Sequence, residues 1–323
     1  MTLVTIVVPA YNAEATLAET LDSLLSQTFP EFEILVIDDG SSDGTAALAQ
    51  SYDDPRIRVI RQKNRGLAGA RNRGIAEAIG RYIGFCDADD LWRPGKLAAH
   101  IAHLRSNKLV GASFSGSELI DETGTSLRLY QRPRLRDISA AHVFRRNPFG
   151  NGSTPVFRRA ALDEIASYND GLGRMVWFDE SFRQSEDIEC WMRFMLTTNW
   201  MVEGVPGALT LYRVASGGLS AATGKQYVAW DRLVEKLTPL SPEFFARHTP
   251  AARAYQLRYL ARRAISARDS ALALSLLGQS FAASRRPLWE EPLKSAVTWG
   301  AALALRLTRA RGGAQTKGRR DPA

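Results

Sequence analysis

The sequence predicts an α/β protein: a Rossmann-like, mostly parallel sheet flanked by helices, with a helical C-terminal extension. Three observations carry this. Four short strand-like runs alternate with helical patterns over about the first ninety residues, as consecutive βαβ units do. The first run, Thr2–Pro9, is β-branched and apolar, as expected of a strand buried on both faces. Beyond Lys225 the chain becomes rich in Ala, Leu and Arg, the composition of packed helices.

In order, Thr2–Pro9 is a strand and Ala10-Tyr11-Asn12 a turn. Glu14–Gln27 then shows helical spacing through Leu17, Leu21, Leu24 and Leu25. Phe32–Ile37 is a second strand, ending in Asp38-Asp39-Gly40-Ser41-Ser42-Asp43-Gly44-Thr45, where Asp43 or Ser42 can cap a helix beginning near Thr45. Ile57–Ile60 is a third strand, Gly66–Gly80 a helix and Arg81–Cys86 a fourth strand. Right-handed crossovers bring the ends of such strands to one edge, so Tyr11, Asp39 and Asp87 converge although far apart in sequence. Trp92–Arg105 reads as a helix, Ala112–Glu118 and Thr154–Arg158 as strands. Ser185–Leu196 is a helix with acids in its first turn, suited to the helix dipole, and Ala208–Val214 is a further strand. Arg253–Ala267 and Ala271–Ser284 form a helical hairpin turning at Arg268-Asp269-Ser270. The expected organisation is a nucleotide-binding domain over 1–224, a basic helical extension over 225–310 and a disordered tail over 311–323.

Composition narrows the function. The 323 residues are 45% hydrophobic and carry a net charge of +8. Residues 251–323 hold 14 Lys+Arg against 4 Asp+Glu, which leaves the rest near neutral. A basic segment so confined argues against nucleic acid as partner and favours an anionic membrane surface or acidic partner. Cys86 and Cys190 have no metal-site spacing and predict buried thiols in a reducing cytoplasm. No signal peptide or membrane-spanning run is expected. His100 and His103 share a helix face and read as exposed; with His142 and His248 they form no site.

The most informative feature is Asp87-Ala88-Asp89-Asp90. Three carboxylates gather where an apolar strand ends, and like charges so close repel unless something compensates. Ligands of open α/β sheets sit outside the carboxyl ends of the strands. A divalent cation bridging one or two carboxylates to nucleotide phosphates accounts for the cluster.

Five segments together resemble the inverting family-2 glycosyltransferases of the GT-A fold. They are Val7-Val8-Pro9-Ala10-Tyr11-Asn12-Ala13-Glu14, Val36–Thr45, Gly69-Ala70-Arg71-Asn72-Arg73-Gly74, Asp87–Asp90 and Glu186-Asp187, in the family's order across Thr2 to Ser220. The resemblance implies a nucleotide-sugar donor, most often a UDP-sugar, and a glycan or lipid-linked acceptor in envelope polysaccharide assembly. Pro9, Ala10, Tyr11 and Asn12 would line the nucleobase pocket with Glu14 nearby, and Asp39 would accept a hydrogen bond from the base. Arg71 would lie near the pyrophosphate or base. Asp89 would ligate Mg²⁺ or Mn²⁺, Asp87 would assist at the metal or ribose, and the Ala88 backbone would pass the ribose. Asp90 is either a third member or a cap for the following helix. Asp187 would be the general base and Glu186 its support. Inversion by a single displacement needs such a base on the acceptor side.

Each assignment has a plainer alternative. The Asp38–Thr45 run makes a turn unaided, and Glu186 and Asp187 favour a helix N-terminus by about 0.3–1 kcal/mol each. Trp191 reads as core. Asn151-Gly152-Ser153 and Trp177-Phe178-Asp179 flank the expected acceptor cleft. One departure stands out: many relatives have a histidine after the last strand that helps hold metal or diphosphate. Tyr212–Ser220 has none, leaving Arg213 or the serines to contact phosphate. The competing readings are a nucleotidyltransferase, which would show a Gly-rich basic loop after the first strand, and a non-catalytic glycan- or membrane-binding protein. The basic C-terminal helices, with Trp289 and Trp299, suggest peripheral contact with the cytoplasmic membrane face. The apolar residues near Ser295–Leu307 are not cleanly segregated, and the alternative is packing against the catalytic domain or a partner.

Overall fold

A computed structural model describes residues 2–214 and 223–316, in two compact units. The first holds 2–143 and 147–214, the second 144–146 and 223–316. The expected boundary at 224/225 adjoins residues 215–222, outside the described residues.

The first unit opens with β1 (Val4–Ala10), α1 (Leu17–Leu25), β2 (Phe32–Asp38), α2 (Thr45–Gln50), β3 (Ile57–Arg61), α3 (Gly66–Glu77) and β4 (Tyr82–Phe85). These strands lie parallel in the order β3-β2-β1-β4, with Ile6 paired to Ile34 on one side and Gly84 on the other. Every residue of β1 and β2 is buried, which explains their largely apolar sequence. The polar exceptions are partnered: Thr5 donates to Glu33 at 2.6 Å and Asp38 accepts from Arg61 at 2.9 Å. Leu17, Leu21 and Leu24 of α1 close over Val4, Ile6, Val8 and Ile34. The loops after β1, β2 and β4 therefore leave the sheet at one edge.

The unit continues through β5 (Leu91–Trp92), α4 (Lys96–Ser106), β6 (Val110–Ile120), β7 (Ser126–Gln131), α5 (Ala140–Arg145), β8 (Val156–Arg158) and α6 (Arg159–Asp163). It ends with β9 (Ser167–Asn169), β10 (Arg174–Val176), α7 (Glu186–Thr197) and β11 (Met201–Arg213). β8 enters antiparallel between β4 and β6, and β11 runs parallel to β6. The nine-stranded sheet is thus parallel in its first half and mixed in its second.

Three expectations are corrected. The helix expected over Trp92–Arg105 begins only at Lys96. Leu91–Trp92 pairs instead with Leu211 and Thr210, because Pro94 keeps Arg93 out of the helical region. The last strand starts at Met201, ahead of Ala208. His100 is buried and His103 half-buried: α4 turns both toward β6, where each Nδ1 lies 2.8 Å from Ser113 Oγ, and His103 Nε2 lies 3.1 Å from Glu203.

The second unit contains α8 (Thr223–Leu237), α9 (Pro242–Ser266), α10 (Ser270–Ala283), α11 (Arg286–Glu290) and α12 (Pro292–Thr316). The expected hairpin is α9–α10. It turns through Arg268 at φ 57°, and Asp269 caps α10 by accepting from Leu272 N–H at 3.0 Å. Leu257, Leu260, Ala264, Leu277 and Ala302 form its core. The described helix α12 runs to Thr316, so of the tail expected to be disordered only 317–323 lie outside the described residues. Among the described residues no helix is long and apolar enough to cross a membrane.

Candidate active site

The loops after β1 and β2 are stitched together. Asn12, at φ 49°, donates its N–H to Ser41 Oγ and accepts from Ser42 N–H at 2.9 Å. Glu14 accepts from Gly44 N–H at 2.8 Å, and Asp43 accepts from both Glu14 N–H and Thr45 N–H. The N-cap of α2 is Gly44, with no side-chain cap, so neither Asp43 nor Ser42 caps the helix as expected, and Asp43 bonds the Thr45 N–H just inside it. Pro9 and Ala10 are buried at the end of β1, while Tyr11 leaves the sheet 55% exposed, its ring free to meet a planar ligand.

Asp39 is buried and accepts from Gln62 Nε2 at 2.7 Å, Arg65 N–H at 2.9 Å and Gly66 N–H at 2.7 Å. The last of these sits at φ +77°, a conformation that glycine adopts at little cost. A carboxylate offers about four lone-pair sites, so about one remains for a ligand.

The three carboxylates after β4 have different surroundings. Asp90 is fully buried and accepts from Arg213 N–H at 2.9 Å and from Ser153 Oγ. Burial, then Asp89 and Asp87, push its carboxyl well above the ordinary range. It does not cap a helix: the following residues form β5. Ser153 is the hub here. Its Oγ accepts from Asp87 N–H at 2.9 Å, and its carbonyl accepts from Trp92 Nε1 and from the buried Lys96 Nζ at 2.7 Å. The Ala88 carbonyl accepts from Thr16 and Thr20 hydroxyls. The turn is thereby fixed, and Asp89 projects to solvent with no ion pair among the described residues. Its carboxyl is pushed above the usual aspartate range by desolvation and then by Asp87. Because Asp89 is open at its outer edge, the Asp87 repulsion is the firmer cause.

Arg71 joins this cluster to the second acidic pair. It is 2% exposed and therefore not a solvated surface residue. One guanidinium nitrogen donates to Asp87 at 2.8 Å and another to Glu186 at 2.8 Å. Burial opposes its charge, but Asp87 and Glu186 outweigh that and hold it protonated. A side chain at Gly152 would fall inside this guanidinium, so the neighbouring loop must carry glycine there. Asn72, next in α3, accepts from Trp177 and Phe178 N–H at 2.9 and 2.8 Å, positioning the segment before α7.

Glu186 and Asp187 open α7 behind Ser185, a residue at φ 61°. Desolvation pushes the carboxyls of both above the ordinary range, opposed chiefly by Arg71. Such a carboxylate, desolvated yet beside a fixed cation, suits proton abstraction from a hydroxyl. Trp191 is core as expected: 1% exposed and stacked on Phe157 at 4.8 Å, it anchors α7.

Arg213, offered as a phosphate contact in place of the missing histidine, has its guanidinium engaged within the protein. Its guanidinium donates to the Asp89 carbonyl at 2.8 Å, the Glu122 carbonyl at 2.9 Å and Glu19 at 2.6 Å. It braces the aspartate turn from behind. The serines named with it, Ser216 and Ser220, lie outside the described residues.

The residues fit a hard divalent cation only in part. Among the described residues no three His, Cys, Asp or Glu side chains converge on one point. Asp89, with Asp87 beside it, supplies two carboxylates, and diphosphate oxygens are the natural complement for Mg²⁺ or Mn²⁺.

A sheet parallel in one half and mixed in the other, flanked by helices, is the class of architecture seen in GT-A proteins. The glycosyl transferase family 2 model matches residues 5–166, and the chain belongs to that family. It is 41% identical over 108 residues to the Escherichia coli UDP-Glc:alpha-D-GlcNAc-diphosphoundecaprenol beta-1,3-glucosyltransferase WfgD, covering 33% of this chain and 43% of that one. The chain spans about a third to a half of the length of the first curated relatives it matches. In fold it is similar to S. aureus TarS 1-349 in complex with UDP-GlcNAc, with TM-score 0.56 and 20% identity over 94% of this chain and 81% of that one. It is also similar to the Pyrobaculum calidifontis mannosyltransferase PcManGT in complex with GDP-Man and Mn²⁺, with TM-score 0.54 and 21% identity over 94% and 86%.

Proposed function

We propose that this chain is an inverting glycosyltransferase that moves a sugar from a nucleotide-sugar donor, a UDP-sugar, to a hydroxyl of a glycan or lipid-linked acceptor. Tyr11 stacks on the base above Pro9, Ala10 and Asn12, with Glu14 holding the adjoining loop. Asp39 uses its remaining acceptor site for the base imide N–H. Asp87 and the Ala88 backbone meet the ribose, and Asp89, helped by Asp87, holds Mg²⁺ or Mn²⁺. When bound, the cation neutralises charge on the departing diphosphate. Across Arg71, Asp187 removes the acceptor proton, and Glu186 holds the guanidinium that keeps the two sides in register.

The observation that carries this reading is the double ion pair of Arg71, which places a donor-side carboxylate and an acceptor-side carboxylate on one buried cation. The relatives lend support: WfgD is named for a UDP-glucose donor and a diphosphoundecaprenol-linked acceptor, TarS was solved with UDP-GlcNAc, and PcManGT with Mn²⁺. An acceptor of that kind would be met at the cytoplasmic face of a membrane, and the surplus of basic residues in 251–323 supports the reading that the C-terminal helices contact it.

Titrating UDP into the full chain with and without Mn²⁺, followed by a screen of UDP-, GDP- and dTDP-sugars for transfer or hydrolysis, tests the proposal. Metal-dependent UDP binding with turnover of a UDP-sugar is expected. Absence of any nucleotide binding would return the chain to a non-catalytic scaffold.

A further inference from the structure

Helix α12 packs two hydroxyl residues inward. On the side packed in the second unit lie Ser295 and Thr298, 1% and 3% exposed, with Ala302 and the partly buried Trp299, which belongs to the core and is not the interfacial residue expected of it. Ser295 faces inward for a reason: Arg258 of α9 is buried and donates to Ser295 Oγ at 2.7 Å and to the Pro287 carbonyl at 3.2 Å. A buried guanidinium needs such acceptors. The opposite face, turned to solvent, carries Leu293, Val297, Leu303 and Leu307, 80%, 71%, 48% and 65% exposed.

Between these large side chains sit only Ala296, Gly300 and Ala304, all exposed. At 100° per residue these seven positions share one arc without a charge, about 22 Å long from Leu293 to Leu307. Trp289 of α11, four residues before Leu293 in the chain, is 82% exposed. Arg285, Arg286, Lys294 and Arg306 are exposed around the face. The two nearby acids are shared among five cations, Glu290 with Arg145 and Arg286, and Glu291 with Arg146, Arg258 and Lys294, so the region keeps a positive surplus.

We infer that this face of α11–α12 lies in the plane of an anionic lipid bilayer, Trp289 at the headgroup level and the leucines below it. A solvent-facing apolar arc of this size needs a cover. Two features choose lipid over a second copy of the chain. Residues 251–323 carry 14 Lys+Arg against 4 Asp+Glu, so two such units would repel each other, whereas anionic headgroups attract them. An exposed tryptophan at the end of an apolar face rimmed by basic residues is the arrangement of an interfacial helix. The inference deepens the membrane placement proposed above and does not depend on the sugar-transfer chemistry.

The test is co-sedimentation of the full chain with vesicles of equal parts phosphatidylglycerol and phosphatidylcholine, and with vesicles of phosphatidylcholine alone. The wild type should pellet with the mixed vesicles and far less with the neutral ones. The triple variant Leu293→Gln, Val297→Gln, Leu307→Gln changes only exposed side chains, so its thermal melt should match the wild type. Its vesicle partitioning should fall at least about tenfold, since burying one large aliphatic side chain is worth about that factor. Equal binding by the triple variant, or no binding by the wild type, would overturn the inference. So would a wild-type dimer in sedimentation velocity that the triple variant converts to monomer, which would make the cover a second copy.

Discussion

The carboxylates after β4 and those opening α7 meet at one arginine, yet each group handles its repulsion differently. After β4 the charges are separated by role: Asp90 is buried on neutral donors, Asp87 is paired to Arg71, and Asp89 is left facing solvent. At α7 both carboxyls are desolvated, and only Glu186 is directly bonded to the guanidinium. The first arrangement presents a charge outward, where a cation and diphosphate can collect. The second keeps Asp187 poorly solvated, which favours a base. Similar residues thus acquire different chemistry from their surroundings.

The contrast can be broken at its joint. Arg71→Met leaves Asp87 and Glu186 without their shared cation, and removing one partner from a buried pair costs about 3–5 kcal/mol. Urea denaturation should show a loss of that order, and a loss under about 1 kcal/mol would mean the bridge does not hold the two sides. Ser153→Ala removes the hydroxyl that serves both Asp87 N–H and Asp90, and should cost about 1–3 kcal/mol. It should also weaken nucleotide binding, because the turn beneath Asp89 loses its support. Arg213→Met should likewise weaken nucleotide binding, while saturating donor restores turnover. A direct phosphate ligand would instead show a lasting loss of turnover.

The smallest effect is in pH. Asp187 must be ionised to act, and desolvation raises its pKa in the folded protein. Acidification should therefore abolish turnover at a higher pH than an ordinary aspartate would. An acid limb of kcat near 3.8, the unshifted value, would show that desolvation does not govern it.

Much of this could be read along the chain. The alternation through β1–β4 fixes which loops meet, because adjacent parallel strands joined by right-handed crossovers leave little freedom. Asp87 and Asp89 stood out as charges at the end of an apolar strand, whereas Glu186-Asp187 were marked only by the family resemblance, since a helix N-terminus accounts for acids there unaided. The second half of the sheet was not legible: β8 inserts between β4 and β6 out of chain order, and β5 has two residues whose pairing lies over a hundred positions away. Ser153 and Arg213 were named for other roles, beside the acceptor cleft and at phosphate, and their bracing contacts were missed for the same reason. A hydroxyl or a guanidinium becomes a brace through partners distant in sequence, and no local pattern marks it. Burial of Arg71, and of His100 beside Ser113, likewise emerges only when separate elements pack.

The most direct test pairs two substitutions across the arginine. In Asp187→Asn, UDP-sugar binding measured by calorimetry with Mn²⁺ should stay within about twofold of wild type, while transfer falls by about 10²–10⁴, the usual worth of a general base. In Asp89→Ala, metal-dependent UDP binding itself should disappear. If Asp187→Asn lost donor binding and Asp89→Ala kept it, the two acidic groups would have the opposite roles and the account would be wrong.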